Sequence, residues 1–167
     1  MVNIVVEDGS VVANANSYVT TAELEAFALA RQYTLPVDSS DKNALIIKAA
    51  DYTEAFRKRF QGVKTTSAQP LQWPRVGVYV DGFAIVSTTI PNDLKFAQMQ
   101  AAIEYNTTDM LPATGANIKR EKVDVIEIEY QDGDGSLTAP SFPKVDQYLD
   151  ALLKAGGIGT MLVTPIR

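Results

Sequence analysis

The sequence predicts a single α+β domain built from a four-helix body, two β-hairpins and one additional strand. Apolar residues recur at helical spacing in four segments, which is typical of helices that bury one face. Two Asp-Gly pairs, Asp8-Gly9 and Asp81-Gly82, separate apolar runs as hairpin turns do. With 167 residues, the chain is long enough to form one hydrophobic core.

The amino-terminal part predicts a hairpin over residues 2–12, followed by an irregular loop and a capped helix. Thr20 is the expected cap of this helix, and Glu23, three residues later, completes a capping box. The helix should end near Tyr33, because Pro36 follows and disfavours helical backbone before it.

A second helix is predicted from just after Ser40 to about residue 60, with Gly62 ending it. Its inner face is an apolar stripe at steps of three and four residues, formed by Leu45, Ala49, Tyr52, Phe56 and Phe60. A polar segment, 64–72, then leads to the second hairpin at residues 76–85.

The third helix should begin at Pro91, a position where the missing N–H is not needed. Apolar residues occupy two of its faces, so it is either central or covered by a second subunit. The additional strand, 126–130, alternates apolar and acidic residues, and a fourth helix should start at Pro143. We therefore divide the chain into a domain, 1–155, and an apolar tail, 156–167.

The composition removes several classes of function. The chain contains no cysteine and no histidine, so disulfides, thiolate nucleophiles, Cys/His zinc sites and a Ser-His-Asp triad are excluded. We expect no enzyme activity and no cofactor. The net charge of −5 argues against nucleic acid binding by the whole surface, although a local basic face remains possible. No apolar run is long enough to span a membrane and no secretory signal is visible, so a cytosolic origin is expected.

One acidic loop has the ligand spacing of a calcium site, at Asp132, Asp134 and Ser136. The EF-hand pattern fails there, because Leu137 and Pro143 stand where the pattern requires glycine and glutamate. An ordinary turn is the expected structure, and no metal site is predicted.

Two basic clusters are candidates for contact with DNA or with a channel lumen. They comprise Arg57, Lys58, Arg59, Lys64, Lys119, Arg120 and Lys122. Aromatic residues between the clusters would supply stacking platforms, as in grooves that hold single strands. The alternative is a solvated helix end, where cations also interact favourably with the helix dipole.

A second set of residues is a candidate interface with another subunit or a portal protein. It comprises Trp73, Arg75, Tyr79, Phe83, Glu127, Glu129, Met161, Leu162, Val163 and Ile166. Trp73 is equally compatible with a place in the core. The two glutamates are expected on an acidic strand face, rather than as an acid–base pair. The tail residues would either add a strand to the sheet edge of a neighbouring subunit or fill a groove on it, or form a final strand that packs on the core of their own chain.

Several segments carry a family resemblance in a fixed order along the chain. They are an EDG…ANSY opening at 7–9 and 15–18, a WPRxGxY element at 73–79, and a KREKV…IEIEY segment at 119–130. In these motifs the chain resembles the small head–tail connector (neck adaptor) proteins of tailed bacteriophages. The same family is also labelled DnaT-like single-stranded DNA-binding protein.

The connector label implies a structural protein that forms a ring, commonly of twelve subunits, around the DNA channel. Its partners would be its own copies, the portal protein, a downstream neck or tail protein and passing double-stranded DNA. Its location would be the virion neck, after assembly in the host cytoplasm. By the same resemblance, the hairpin 73–83 and the strand 119–130 would face neighbours or the lumen. The second label implies the alternative function, single-stranded DNA binding in replication.

Overall fold

The computed structural model describes residues 3–107, 120–123, 126–129 and 142–154. The helices are α1 (Thr21–Ala30), α2 (Ser39–Glu54), α3 (Asn92–Tyr105) and α4 (Pro143–Asp150). The strands are β1 (Val63–Lys64), β2 (Arg75–Val76), β3 (Tyr79–Val80), β4 (Phe83–Ala84), β5 (Arg120–Val123) and β6 (Ile126–Glu129). They pair as three antiparallel two-stranded sheets, β1–β2, β3–β4 and β5–β6. The predicted α+β class and the four helices are confirmed.

Helix α3 is the centre of the fold, because it packs against α2, α4 and α1. Its buried residues include Leu94, Ala97, Gln98, Met99, Ala101, Ala102 and Ile103. The other helices therefore cover the two apolar faces that the sequence assigned to this helix. Among the described helices, none is both long enough and apolar enough to cross a membrane.

Helix α1 has the predicted capping box. The Glu23 N–H donates to Thr20 Oγ1 (3.1 Å), and the Thr20 N–H donates to a carboxylate oxygen of Glu23 (2.7 Å). The helix ends before Tyr33, the predicted end. Gln32 adopts a left-handed backbone (φ 58°), and the Tyr33 N–H donates back to the carbonyl of Ala28 (2.9 Å).

Helix α2 ends at Glu54, so the prediction of a helix to residue 60 is wrong. Residues 55–59 form turns, and Phe60 is fully buried and forms a β-bridge with Leu153. Gly62 therefore does not end the helix. It has a positive φ (61°), and a Cβ atom there would lie 2.1 Å from the carbonyl oxygen of Val76.

The predicted hairpin over residues 2–12 does not form. Val6 pairs instead with Ser17 in a parallel bridge, and the Asn16 N–H donates to the carbonyl of Val5 (2.9 Å). The intervening loop is held by the buried carboxylate of Glu7. It accepts hydrogen bonds from the backbone N–H groups of Gly9 (2.8 Å), Val11 (3.0 Å) and Val12 (2.9 Å). The side chain therefore replaces the strand ladder that the Asp-Gly pair predicted.

The second hairpin is confirmed as β3–β4. Asp81 (φ 51°) and Gly82 (φ 83°) both have positive φ, as a two-residue type I′ turn requires. The register pairs Val80 with Phe83, and Tyr79 with the residue after Phe83. Strands β1 and β2, which pair across residues 63–76, were not predicted.

The predicted strand 126–130 is present as β6, and it pairs with β5; the segment 119–130, which the resemblance implied to be one strand, therefore contains two paired strands. Helix α4 begins at Pro143 as predicted, and it buries Val145 and Leu149. The acidic loop around Asp132 and the tail 156–167 lie outside the described residues.

Candidate nucleic-acid interface

The first basic cluster divides into two parts in the structure. Arg57 and Lys58 are exposed in the turn that follows α2. The guanidinium of Arg59 lies 5.0 Å from the ring centroid of Phe56, and this side chain is partly buried. Lys64 is separate from these three residues. Its Nζ donates to the backbone carbonyl of Gln69 in the following loop (2.7 Å).

Lys154, which the sequence analysis missed, joins the first part. Its backbone N–H donates to the carbonyl of Arg59 (2.8 Å), and its Nζ donates to the carbonyl of Lys58 (3.2 Å). We call the group of Arg57, Lys58, Arg59 and Lys154 the basic corner; Arg57, Lys58 and Lys154 are exposed, and Arg59 is half-buried. No local sequence signal could have found Lys154, because only the packing of α4 brings it to this turn.

Gln61 ties the basic corner to the hairpin β3–β4. Its backbone N–H donates to the carbonyl of Leu152 (3.0 Å), and its side-chain Nε2 donates to the carbonyl of Ala151 (2.9 Å). Its Oε1 accepts from the N–H of Tyr79 (3.2 Å). One amide side chain therefore bridges the end of α4 and the start of β3.

We call the hairpin of residues 79–84 the aromatic ribbon. Tyr79 is 59% exposed and Phe83 is 77% exposed, which is unusual for rings of this size. Because Phe83 pairs with Val80, the register places Tyr79 and Phe83 on opposite faces of the ribbon. Each face thus presents one aromatic side chain to solvent.

Trp73 is fully buried, so the expectation that it is exposed to neighbours or a lumen is wrong. Its ring packs edge-on with Phe60, at a centroid distance of 5.9 Å. Its backbone N–H donates to the hydroxyl of Tyr18 (3.1 Å), and the following peptide bond to Pro74 is cis. Among the described residues, the indole Nε1 has no hydrogen-bond partner. Trp73 therefore fills part of the hydrophobic core, next to Phe60.

Arg75 is also buried, so the expectation that it faces neighbours or a lumen is wrong. Its Nε donates to the carbonyl of Gln61 (2.7 Å), and one Nη donates to the carbonyl of Gly62 (2.8 Å). A guanidinium that serves these backbone carbonyls is not free to bind a partner. Of the four candidates in this region, only Tyr79 and Phe83 are accessible.

Two titratable side chains, the buried Tyr18 and the half-buried Glu54, hold the segment at Gln72 and Trp73 by hydrogen bonds. The Tyr18 hydroxyl donates to one carboxylate oxygen of Glu54, and the other accepts from the N–H of Gln72 (2.9 Å). Burial raises the pKa of Glu54, outweighing the hydrogen bonds from Tyr18 and Gln72 that favour the charged form. Burial also raises the pKa of Tyr18, and the charge of Glu54 adds to that effect. Tyr18 is fully buried and anchors this segment to the core.

The raised pKa of Glu54 predicts a pH dependence of stability. The folded state binds this proton more tightly than the unfolded chain, so ionisation of Glu54 lowers the free energy of unfolding as pH rises above about 4.5. Comparison with Glu54→Gln, which does not titrate, cancels the other groups. We expect the stability of the natural chain relative to this variant, measured by urea unfolding, to fall as the pH rises above about 4.5. A difference that is constant or rises with pH would contradict the assignment.

The second basic cluster lies partly in β5. The register pairs Arg120 with Glu129 and Lys122 with Glu127, so each cationic position faces an anionic one across the ladder. The formal charges at these four positions cancel. Lys119 and the tail candidates Met161, Leu162, Val163 and Ile166 lie outside the described residues.

The described residues were also compared with the requirements of a metal site. Within 3–107 and 142–154, no three acidic side chains are grouped so that they could hold a metal ion. The arrangement that remains is a cluster of cations beside two exposed rings. Cations attract phosphates, and exposed rings can stack on bases.

The comparisons with known proteins gave one match. A family model described as "Putative DnaT-like ssDNA binding protein" matches residues 2–166. No curated protein matched the chain, and neither did any solved structure.

Proposed function

We propose that this chain, which belongs to the DnaT-like ssDNA-binding protein family, binds single-stranded DNA through the basic corner and the aromatic ribbon. The family match covers nearly the whole chain. The two parts of this surface would contact different groups of the DNA.

The basic corner would contact the phosphate backbone. Its cations come from two segments, the turn 57–59 and the end of α4 at Lys154, and Arg57 and Lys58 extend into solvent. The net charge of the chain is −5, so attraction to DNA has to come from such a local concentration of cations. Affinity should therefore fall steeply as salt concentration rises.

The aromatic ribbon would stack on bases. Stacking of a base on an aromatic side chain tolerates any sequence, because every base has a flat face. Since Tyr79 and Phe83 lie on opposite faces of the ribbon, a strand would place different bases on the two sides of it. Binding would be non-specific with respect to sequence.

The Gln61 bridge is the observation that carries the proposal. Gln61 lies two residues after Arg59; its side chain donates one hydrogen bond to the carbonyl of Ala151, at the end of α4, and accepts one from the N–H of Tyr79. The turn that bears the cations, the end of α4 and the strand that bears Tyr79 are thereby tied together through one residue. A surface that combines both groups is what binding to single strands requires.

The prediction of a virion head–tail connector is wrong. The matched family is described as ssDNA-binding, which was the alternative, and nothing in the comparisons supports the connector label. The ring, the portal and neck partners, and the virion location were implied by that label and lose their support with it. The buried state of Trp73 and Arg75 also removes two of the residues assigned to its interfaces.

A matched pair of charge reversals tests the basic corner. Lys58→Glu should weaken binding to a labelled oligothymidine about tenfold at low salt, and should reduce the slope of log K against log salt by about 1. Lys48→Glu makes the same charge change at an exposed position on α2, away from the corner, and should have a much smaller effect. Fluorescence anisotropy over a salt series measures both. Equal effects of the two variants would mean that only the net charge of the protein affects DNA affinity, and would refute the basic corner as the binding site.

Tyr79→Ala tests the stacking half of the surface. Loss of one stacked base costs about 1–3 kcal/mol, so affinity should fall at all salt concentrations with the salt slope unchanged. The matched control is Val37→Ala, an exposed apolar truncation at the other end of α2, which should bind normally. An unchanged affinity for Tyr79→Ala would show that DNA does not use the ribbon.

A further inference from the structure

The two faces of the aromatic ribbon have different surroundings. Phe83 shares one face with its partner Val80 and with Ile85, two residues further on, where the ladder continues because the Ile85 N–H donates to the carbonyl of Val78 (2.9 Å). Val80 and Ile85 pack partly against the hydrophobic core, so this face is turned toward the body of the protein. Phe83 lies next to the turn and is 77% exposed, so it extends beyond that contact.

The opposite face of the ribbon is open to solvent. Tyr79 pairs with Ala84 across the ladder, and both residues are exposed. The ribbon therefore has one ring on an open face and one ring on a face that the body of the protein limits. A broad flat surface, such as the end of a duplex, fits the open face, whereas the face of Phe83 has room for a single base.

The ribbon is too thick to fit within a continuous stack of bases. A sheet with side chains on its faces occupies about 10 Å, the spacing of stacked sheets, whereas neighbouring bases along a strand are about 3.4 Å apart. Two bases that stack on Tyr79 and Phe83 are therefore separated from each other. Base pairing prevents this separation inside a duplex, but not at a point where the duplex ends and one strand continues unpaired.

We propose that the preferred ligand of this surface is a junction between double- and single-stranded DNA, with the ribbon inserted at the junction; the inference rests on the proposed function. Tyr79 stacks on the terminal base pair, and Phe83 stacks on the first unpaired base. The terminal pair presents two bases to Tyr79 at once, whereas a free single strand presents one. Stacking on Tyr79 is therefore more favourable at a junction.

The charges around the ribbon agree with this ligand. The only charged residue of the segment 79–84 is Asp81, an exposed acidic residue at the turn, so the ribbon itself does not attract phosphates. The basic corner lies next to β3, because Gln61 accepts from the N–H of Tyr79 (3.2 Å) and follows Arg59 by two residues, at most about 7 Å of chain. Duplex DNA has about twice the phosphate density of one of its strands. The basic corner therefore attracts the duplex side of a junction more strongly than a single strand.

The affinity of the full chain for three DNA molecules tests the proposal. They are a duplex hairpin with an oligothymidine tail of either polarity, the same hairpin with a blunt end, and the tail alone. Fluorescence anisotropy at one salt concentration should show that at least one tailed hairpin binds about tenfold more tightly than the tail alone, and also more tightly than the blunt hairpin. A tailed hairpin that binds no more tightly than either of the other two would overturn the proposal.

Alanine variants of the two rings test the assignment of the faces. Tyr79→Ala should lower the ratio of junction affinity to tail affinity to about 1, because it removes the ring that stacks on the terminal pair. Phe83→Ala should weaken binding to both molecules by a similar factor, because both contain unpaired bases, and the ratio should stay the same. Val86→Ala, a truncation at a 65% exposed position outside the ribbon, should change neither affinity. Loss of the preference in Phe83→Ala but not in Tyr79→Ala would overturn the assignment.

A fluorescent adenine analogue reports the insertion directly. At the first unpaired position its emission is quenched while it stacks on the terminal pair, so insertion of the ribbon should raise the emission when the protein binds. The same analogue inside the duplex should not respond. Binding to the tailed hairpin without a rise at the junction position would overturn the insertion.

These measurements separate the inference from the proposed function. Binding to the tail with no preference for the junction would refute the inference alone, and the proposed function would stand. The absence of affinity for the tail and for both hairpins would refute the proposed function, and the inference with it.

Discussion

Trp73→Ala is expected to lower the free energy of unfolding by about 3–5 kcal/mol, the range for removal of a large buried aromatic side chain. Trp73 is fully buried and packs against the equally buried Phe60. Its removal would leave a cavity in the core next to Phe60. Since Trp73 is the only tryptophan, unfolding should be followed by far-ultraviolet circular dichroism in urea.

Phe83→Ala is the matched control for this prediction. It also removes an aromatic ring, but from a position that is 77% exposed. Its effect on stability should be within about 0.5 kcal/mol, as for surface substitutions in general. Similar losses for the two variants would contradict the assignment of Trp73 to the core and Phe83 to the surface.

Glu7→Ala should be the second strongly destabilising change, with an expected loss of about 3 kcal/mol or more. The substitution removes the acceptor for three backbone N–H groups, at Gly9, Val11 and Val12. A buried donor left without a partner costs about 1–3 kcal/mol; this applies in full at the buried Gly9 and in part at the half-buried Val11 and Val12. Urea unfolding measures the loss.

Two controls make the Glu7 prediction specific. Asp8→Ala removes an exposed carboxylate whose hydrogen bonds, including the one from the N–H of Ser10 (2.9 Å), are local and open to water, and should cost less than about 1 kcal/mol. Glu7→Gln keeps one oxygen acceptor and should fall between the two alanine variants. If Glu7→Ala were no worse than Asp8→Ala, the carboxylate would not be what holds the loop.

Short-range features were predictable because their causes are local. The capping box of Thr20 and Glu23, the type I′ turn at Asp81-Gly82 and the start of α4 at Pro143 depend only on neighbouring residues. The hairpin predicted from Asp8-Gly9 was wrong because its outcome depends on a non-local property, the burial of a neighbouring side chain. The buried Glu7 side chain competes for the same backbone N–H groups, and burial is not visible in a local pattern.

Long-range hydrogen bonds give a structural reason for the opening motif, which the sequence analysis identified only by resemblance. Gln98 of α3 accepts from the N–H of Tyr18 (2.9 Å) and donates to the hydroxyl of Ser17 (2.9 Å) and the carbonyl of Ile46 (3.0 Å). The serine and tyrosine of the opening motif are thus fixed by a helix distant in sequence. A motif reading therefore identified the family but assigned Trp73 and Arg75 to a surface that they do not reach.

The sequence by itself determined the α+β class, the capped helix starts, the tight turn of the ribbon and the absence of Cys and His chemistry. These follow from residue identity, spacing and composition. Only the tertiary structure decided which cations and rings share a surface. Lys154 meets Arg59 and Gln61 meets Tyr79 because α4 packs against α3 and ends beside the turn that follows α2. Such meetings depend on burial and packing between distant segments, and those have no signature in the order of residues along the chain.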